Sequence, residues 1–156
     1  MPRLDRLPQV LRTNMLTFPA QVNDTTPFVP LKRPLSRCRV AIVTTAGLHR
    51  RGDHPFGPGD PTYRIIAADT PALEIVQSQT SIGFDRAPIM RDINISFPID
   101  RLRELSARGE IGELAPYAYS FLGALRDFRR LEAETAPEAA RRLRDEGVDV
   151  ALITPT

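Results

Sequence analysis

Beyond residue 38, short apolar runs alternate with polar segments rich in glycine and proline. The first strong run, RVAIVTT at 39–45, is short, β-branched and almost wholly apolar. The last, at 148–153, has the same character. Such runs are typical of parallel strands covered on both faces, so we predict two buried parallel strands here. Further strands are predicted at 63–67 and 72–78, and a short extended piece at 93–98.

Helical spacing appears in the second half of the chain. Apolar residues at Ile99, Leu102 and Leu105 predict a short amphipathic helix that Gly109 ends. A second helix is predicted at 121–130. Thr135 has the features of an N-cap for a third helix, which Gly147 ends.

The succession of helix, glycine and apolar strand predicts an α/β fold. We expect an open, mostly parallel, Rossmann-like sheet with flanking helices, incomplete at its C-terminus. Residues 1–34 contain six prolines, which disfavour long regular elements. They predict an extended arm, with one helical turn around 7–15, that packs on the domain or on a partner. Residues 35–156 then form one α/β domain, which we expect to be truncated.

Composition and charge argue against a nucleic-acid-binding, a membrane-spanning and a secreted protein. The chain is 42% hydrophobic and 26% charged with a net charge of +2, as in ordinary soluble proteins. It has no basic stripe with interleaved aromatics, which argues against nucleic acid. No apolar run approaches the ~20 residues of a membrane span, and the N-terminus lacks the apolar core of a signal peptide, so we expect a cytoplasmic protein. Cys38 is the sole cysteine, which excludes an internal disulfide.

Polar chemistry concentrates at 48–61, a predicted loop directly after a strand. Ligands of open α/β sheets bind beyond the carboxyl ends of the strands. His49, Asp53 and His54 in this loop also allow a cation site, and hence a metal-assisted hydrolase, although backbone hydrogen bonding explains such residues in turns equally well. The glycines match neither a dinucleotide-binding motif nor a P-loop.

A substrate pocket is predicted where this loop meets the end of the last strand. His49 and Asp53 would face the pocket, and Arg86, beside Asp85, would hold a substrate carboxylate through paired hydrogen bonds. We expect these groups to converge near Thr156.

Several strings, in order, resemble one family over roughly residues 38–156. They are VTTAGLH (43–49), RGDHPF (51–56), GDPTYR (59–64), GFDR (83–86), DINISFPIDRL (92–102), GEIG (109–112), YSFLG (119–123) and DEGVDVALITPT (145–156). Together they resemble the selenoprotein B component of glycine, sarcosine and betaine reductases, with the related D-proline reductase subunit. The predicted substrate-binding set is His49, Asp53, Asp85, Arg86 and Asn94, with no metal ligand.

The resemblance implies reductive cleavage of the C–N bond of glycine, sarcosine, betaine or a proline-like substrate. In the family, selenocysteine or cysteine, two residues and a cysteine follow a strand ending in Thr-Pro or Val-Pro. That redox pair would come immediately after Thr156, so no catalytic residue is expected within this chain. A chain truncated at a selenocysteine codon and a natural short paralogue both remain open.

The resemblance also implies partners. It predicts a partner subunit bearing a pyruvoyl group, a thiol or selenol carrier protein, an oligomer, and no cofactor in this chain. Gln79 stands where the family pattern has histidine, which questions proton transfer there. The alternative function is a non-catalytic binding or assembly module with the same fold.

Overall fold

The computed structural model describes residues 3–18, 22, 24–80, 84–123 and 125–155. Its helices are α1 (Gln9–Leu16), α2 (Ala87–Arg91), α3 (Ile99–Ala107) and α4 (Ala136–Asp145). Its strands are β1 (Arg39–Thr44), β2 (Leu48–Arg50), β3 (Arg64–Ala67), β4 (Ile75–Gln77), β5 (Glu113–Leu114), β6 (Tyr117–Ser120) and β7 (Val150–Thr154). Among the described residues, no helix combines the length and hydrophobicity that crossing a membrane requires.

A mostly parallel sheet is built around β1. On one side, β7 pairs with β1 in parallel from Val40↔Val150 to Thr44↔Thr154. On the other side, β5 and then β6 pair with β1, also in parallel. Only β3, on the far side of β6, runs antiparallel. The predicted α/β fold with a mostly parallel sheet is therefore confirmed.

Helices cover both faces of this sheet because successive strand residues point to opposite faces. Ile42 and Ala118 belong to a core cluster that contains Leu102 of α3. Tyr119, the next residue of β6, packs instead with Ala139 of α4. The side chains of both clusters are almost fully buried.

The α4 side also contains a hydrogen-bonded pair of a buried tyrosine and a partly buried glutamate. Tyr119 is fully buried, and its hydroxyl donates to Oε1 of Glu146 over 2.6 Å. Burial and this carboxylate raise the pKa of Tyr119 above its ordinary value, because both disfavour a tyrosinate. The Tyr63 ring lies 5.6 Å from the Tyr119 ring, centroid to centroid.

A separate two-stranded sheet interrupts the predicted loop at 48–61. β2 pairs with β4 in an antiparallel ladder from Leu48↔Gln77 to Arg50↔Ile75. The prediction of a loop throughout was therefore wrong for the first three residues. The predicted strand at 72–78 is shorter than expected, because Ala72–Glu74 form a 3₁₀ turn.

The last strand lies where predicted but is not buried. Leu152 is 37% exposed and Ile153 is 64% exposed, because β7 pairs only with β1 among the described strands. An apolar run indicates a strand but does not state how many neighbours the strand has.

Three local predictions were wrong. Most of 121–130 is irregular, since the backbone there extends the sheet edge through an Ala46↔Leu122 bridge. Ile93–Ile95 form a 3₁₀ turn rather than an extended piece. Thr135 is no N-cap, because it ends a π-helical turn and its hydroxyl donates to the Pro61 carbonyl.

The predicted helix stops are confirmed. Gly109 and Gly147 follow the ends of α3 and α4 with φ of +73° and +72°, a conformation that glycine adopts without strain. The helical turn predicted near residues 7–15 appears as α1. From residue 3 to residue 37, no described residue is buried.

Candidate functional site

The carboxyl ends of three parallel strands meet in one row. Thr154 of β7, Thr44 of β1 and Ser120 of β6 are in register, and Arg64 of β3 pairs with Ser120. In open α/β sheets this end binds ligands.

One carbonyl ties two of these strand ends together. The hydroxyls of Thr44 and Thr154 donate to the Ser96 carbonyl over 2.9 Å and 2.8 Å. The Thr45 amide also donates to the Thr154 carbonyl over 3.1 Å. The segment before α3 is therefore fixed against the ends of β1 and β7.

A tight turn carries the chain from β1 to β2. Gly47 has a φ of +66°, and a Cβ there would lie 3.2 Å from the Gln79 amide nitrogen. The Gly47 amide donates to the Phe121 carbonyl, and the Leu48 amide donates to the Ser120 hydroxyl. The turn therefore requires glycine and brings β2 and β4 to the carboxyl end of the main sheet.

Two glutamine side chains of the β4 segment reach this turn. Gln77 donates its amide to the Ala46 carbonyl over 3.0 Å, and Gln79 donates to the Thr45 carbonyl over 3.5 Å. Gln79 is 1% exposed and also accepts a hydrogen bond from the Thr80 amide. An uncharged side chain thus occupies the position where the resemblance leads one to expect histidine.

His49 is 5% exposed, and both of its ring nitrogens have partners. Nδ1 lies 2.9 Å from the Arg50 carbonyl, and Nε2 lies 2.7 Å from the Ser78 hydroxyl. A carbonyl only accepts, so Nδ1 carries a proton and, in the neutral ring, Ser78 donates to Nε2. His49 points away from the face on which Leu48 joins the main core.

Asp53 lies beyond the far end of the small sheet. Its carboxylate accepts from the Arg50 amide over 3.2 Å in the turn that follows β2. The Gly47 end of β2 is the end near the main sheet, so Asp53 lies on the order of 10 Å farther along the strand direction. The structure therefore does not bring Asp53 beside the strand ends.

Arg86 reaches the β4 segment near the strand ends, whereas the preceding residue, Asp85, forms a turn. Arg86 donates to the Gln79 carbonyl, and Gln79 contacts the Thr45 carbonyl. The Asp85 carboxylate accepts from the Ala87 amide over 2.9 Å at the start of α2. Thr156, at which we expected these groups to converge, lies outside the described residues.

Asn94 holds the start of α3. Its side-chain oxygen accepts from the Asp100 amide over 3.0 Å, and its amide donates to the Asp92 and Asp100 carboxylates. The donation from Asn94 is the main reason why the pKa values of both carboxyls lie below the ordinary range. Asn94 is two residues from Ser96, so it positions the segment that contacts the strand ends.

A half-buried ion pair organises the loop before β3. The Arg64 guanidinium, 13% exposed, lies 2.9 Å from the Asp60 carboxylate, 17% exposed, and stacks over Phe56. Burial raises the pKa of Asp60, but hydrogen bonds from Thr62 and the charge of Arg64 outweigh it and hold the pKa below its usual value. Arg64 also donates to the His54 carbonyl.

The described residues do not assemble the metal site weighed for the hydrolase alternative. None of them forms a group of three or more histidine, cysteine, aspartate or glutamate side chains that would hold a metal ion. His54 turns to the Pro55 carbonyl, while Asp53 turns to Arg50. Cys38 is fully buried, with Sγ 3.4 Å from the Pro34 carbonyl.

Ser78, Gln77 and Ser96 were missed as site residues. Ser78 meets His49 only through the pairing of β2 with β4, and the two residues are 29 positions apart. The alternation of Gln77 and Gln79 along one strand face was the only available indication.

Comparison with known proteins identifies relatives of this chain. The family model for glycine/sarcosine/betaine reductase selenoprotein B matches residues 13–156. The D-proline reductase subunit gamma of Acetoanaerobium sticklandii is 38% identical over 128 residues, which are 81% of this chain and 52% of that protein. The sarcosine reductase complex component B subunit beta of Peptoclostridium acidaminophilum is 30% identical over 145 residues, 89% of this chain and 33% of that protein.

A third relative, the glycine reductase complex component B subunit gamma of Symbiobacterium thermophilum, is 29% identical over 143 residues, 89% of this chain and 33% of that protein. The chain thus spans between a third and about half the length of these relatives. No solved structure matches it. The family model covers far more than half of the chain, and so the chain belongs to the glycine/sarcosine/betaine reductase selenoprotein B family.

Proposed function

We propose that this chain provides the substrate-binding part of a reductase component that cleaves a C–N bond in an amino acid or its N-alkyl derivative. One observation carries the proposal. In a chain of this family, the side chains of Gln77 and Gln79 bond to the backbone carbonyls of the β1–β2 turn, at the carboxyl ends of parallel strands. The relatives are named as subunits of reductases of D-proline, sarcosine and glycine.

Within the five predicted substrate-binding residues, the contacts favour three roles. Arg86 donates to the β4 segment, so we assign it to direct substrate contact. His49 is buried with both ring nitrogens hydrogen-bonded, so we assign it to positioning the Ser78 hydroxyl at the site. Asp53, Asp85 and Asn94 accept backbone hydrogen bonds in turns, so we assign them to shaping the loops. A guanidinium is suited to a substrate carboxylate because it offers two parallel donors.

The nucleophile of such a reaction lies outside this sequence. Cys38 is its sole cysteine, and the buried thiol is directed at backbone carbonyls of the arm. In such a reaction a selenolate or thiolate attacks the carbon that bears nitrogen, so that a bond from carbon to selenium or sulfur forms as the C–N bond breaks and the amine leaves. We propose that the reductase component to which this chain contributes acts in the cytoplasm, together with a pyruvoyl-bearing partner subunit and a thiol or selenol carrier.

Ligand binding tests the proposal. Isothermal titration calorimetry with D-proline, glycine, sarcosine and betaine should find at least one ligand, and a proline analogue without the carboxylate should bind more weakly. Arg86→Gln should weaken binding by about tenfold to a hundredfold, as expected for loss of a charged hydrogen bond. Arg91→Gln, on the exposed end of α2, is the matched control and should leave affinity unchanged.

The buried state of Cys38 also favours the alternative of a non-catalytic assembly module. The same titration separates the two functions. A chain that binds none of the four ligands, yet copurifies with a pyruvoyl-bearing subunit, is an assembly module. Equal weakening by Arg86→Gln and Arg91→Gln would contradict the assigned role of Arg86.

A further inference from the structure

One hydroxyl at the end of β4 has its hydrogen-bond roles fixed by its surroundings. Ser78 directly follows β4, and its amide donates to the Gly47 carbonyl over 2.9 Å, which anchors the residue beside the turn that leaves β1. Its hydroxyl oxygen lies 2.7 Å from Nε2 of His49. His49 is 5% exposed, whereas Ser78 is only partly buried. The buried ring therefore lies behind a hydroxyl on a residue that remains partly accessible.

The direction of this hydrogen bond follows from the other ring nitrogen. Nδ1 of His49 lies 2.9 Å from the Arg50 carbonyl, which can only accept, so the ring proton is on Nδ1. In the neutral ring Nε2 then has a lone pair and no proton, and the Ser78 hydroxyl has to donate to it. Among the described residues, His49 is the one hydrogen-bond partner of this hydroxyl. Because a hydroxyl has a single proton, Ser78 still offers lone pairs and no donor.

A hydroxyl that can only accept selects ligand groups that donate. Its lone pairs repel a carboxylate, whereas the N–H of an amine or ammonium completes its hydrogen bonding. A hydrogen bond from a charged donor is about twice as strong as one between neutral groups. A quaternary ammonium has no N–H and gains no hydrogen bond here. The hydroxyl of Ser78 therefore distinguishes a nitrogen that carries hydrogen from one that is fully alkylated.

Ser78 is also placed to act together with Arg86. Arg86 donates to the carbonyl of Gln79, the residue directly after Ser78. Bond lengths along this path keep the Ser78 hydroxyl oxygen and the Arg86 guanidinium within about 11 Å of each other. An α-amino acid that accepts through its carboxylate and donates through its nitrogen spans roughly 9 Å between its two protein partners. The two side chains are thus close enough for one amino acid to engage both.

Resting on the function proposed above, we propose that Ser78 is a specificity residue that accepts a hydrogen bond from the substrate nitrogen. His49 is the positioning residue, because it takes the hydroxyl proton and keeps the lone pairs of Ser78 available. Arg86 binds the carboxylate at the other end of the substrate. The substrates of this site are then amino acids whose nitrogen carries at least one hydrogen, such as glycine, sarcosine and D-proline, and betaine is disfavoured.

Calorimetric titration of the 156-residue chain with sarcosine and betaine tests this assignment, because both are N-methylated glycines and only sarcosine has an N–H. The parent chain should bind sarcosine more tightly. Ser78→Ala should weaken sarcosine binding by about tenfold to a hundredfold, as expected for loss of a hydrogen bond to a charged group, and leave betaine binding unchanged. D-proline and its N,N-dimethyl derivative form a second pair of the same kind. Ser106→Ala, at a partly buried serine of α3, is the matched control and should change neither affinity.

Variants of His49 separate positioning of the hydroxyl from support of the fold. His49→Gln retains an acceptor near the former place of Nε2 and should keep most of the preference for ligands with an N–H. His49→Leu removes the acceptor, so the Ser78 proton turns toward the ligand and the preference should fall about as far as in Ser78→Ala. Circular dichroism identifies a variant that does not fold. Ser78→Ala, which deletes one atom of a partly exposed side chain, then decides the question.

Two results overturn the role of Ser78 alone. One is a parent chain that binds sarcosine and betaine equally well. The other is a Ser78→Ala variant that weakens both ligands equally or neither, which would show that the bond to His49 only ties β2 to β4. In both cases Arg86→Gln still weakens binding, so the proposed function stands. If the parent chain binds no amino acid at all, the proposed function fails and the role of Ser78 fails with it.

Discussion

Two of the strands that pair with β1 are similar in length and direction but differ in burial. β6 and β7 are both short parallel strands, but Ala118, Tyr119 and Ser120 are at most 2% exposed, whereas Leu152 and Ile153 are 37% and 64% exposed. β6 has β3 on its other side and α4 over one face, and among the described elements β7 has no second strand. Burial of a strand therefore depends on the next strand along the sheet, which the strand's own residues do not encode.

Matched isoleucine substitutions test this difference most directly. Ile42→Ala should lower the free energy of unfolding by ~2–5 kcal/mol, because Ile42 is 1% exposed and its removal leaves a cavity. Ile153→Ala should cost less than about 1 kcal/mol, since its side chain is already 64% exposed. Urea unfolding measures both, and equal costs would show that another part of the protein or a second copy covers β7.

The β6 side of the sheet, which β3 and α4 cover, also includes the loop before β3. Asp60→Asn tests how much the ion pair in this loop contributes to stability. It should destabilise the fold by about 2 kcal/mol, because it leaves the guanidinium of Arg64, 13% exposed, without its carboxylate. The pKa of Asp60 is lowered on folding, so the stabilisation is present above the ordinary carboxyl value of 3.8 and is lost as the pH falls through the folded pKa.

Asp127→Asn is the control for that experiment. Asp127 forms an ion pair with Arg129 in which both side chains are largely exposed, and removing it should leave the unfolding curve unchanged. A salt titration adds a second readout. If high salt abolishes the effect of Asp60→Asn, the Arg64 pair is an ordinary surface contact.

Removing one hydroxyl from β6 and one from β7 compares how much a polar contact stabilises each strand. Tyr119→Phe should cost about 1–2 kcal/mol, because the Glu146 carboxylate loses the donor that holds its Oε1. Thr154→Val should cost less than about 1 kcal/mol, since the Ser96 carbonyl keeps the hydroxyl of Thr44. Chemical denaturation of both variants checks the order, and the reverse order would contradict the assignment of the stronger contact to the covered side.

Alkaline pH gives a further small effect, which is confined to the covered side. The pKa of Tyr119 is raised on folding, so its contribution is fully present below the ordinary value of 10.0 and is lost as the pH rises above it, where the unfolded chain ionises first. Between pH 10 and about pH 11 the parent chain should lose about 1 kcal/mol that Tyr119→Phe does not lose. Tyr63, whose pKa is also raised, is present in both proteins and cancels in the difference.

The sequence predicts well what depends on local chemistry. β1, α3 and the glycine stops at Gly109 and Gly147 follow from apolar spacing and from the conformational freedom of glycine. The apolar character of β1 and β7 predicted that both are parallel strands, but their direct pairing was not predicted and is a finding of the structure.

The predictions that were wrong concern contacts between distant segments. Thr135 has the composition of an N-cap, but its hydroxyl serves the Pro61 carbonyl, 74 positions away. The described residues from 121 to 128 form no helix, and Leu122 bridges to Ala46 instead. A local sequence pattern cannot indicate a contact with a residue so far away along the chain.

The candidate site also has a part that the sequence predicts and a part that depends on contacts between distant segments. Its location beyond β1 follows from fold rules, and Arg86 reaches the Gln79 carbonyl there. The side of the small sheet from which His49 projects depends on the pairing of β2 with β4, which the predicted loop did not include. The substrate-binding roles of His49, Asp53, Asp85, Arg86 and Asn94 stay predictions that ligand titration decides.

The shared carbonyl of Ser96 has a consequence for which changes in chain length the protein tolerates. A carbonyl oxygen has two lone pairs, and the hydroxyls of Thr44 and Thr154 engage both. Inserting or deleting one residue between Asp92 and Ser96 would move that oxygen away from both strands at once. Relatives should therefore keep the length of this segment constant, while the exposed turn that contains Gly52, where a Cβ would meet no atom within 4 Å, is free to accept insertions.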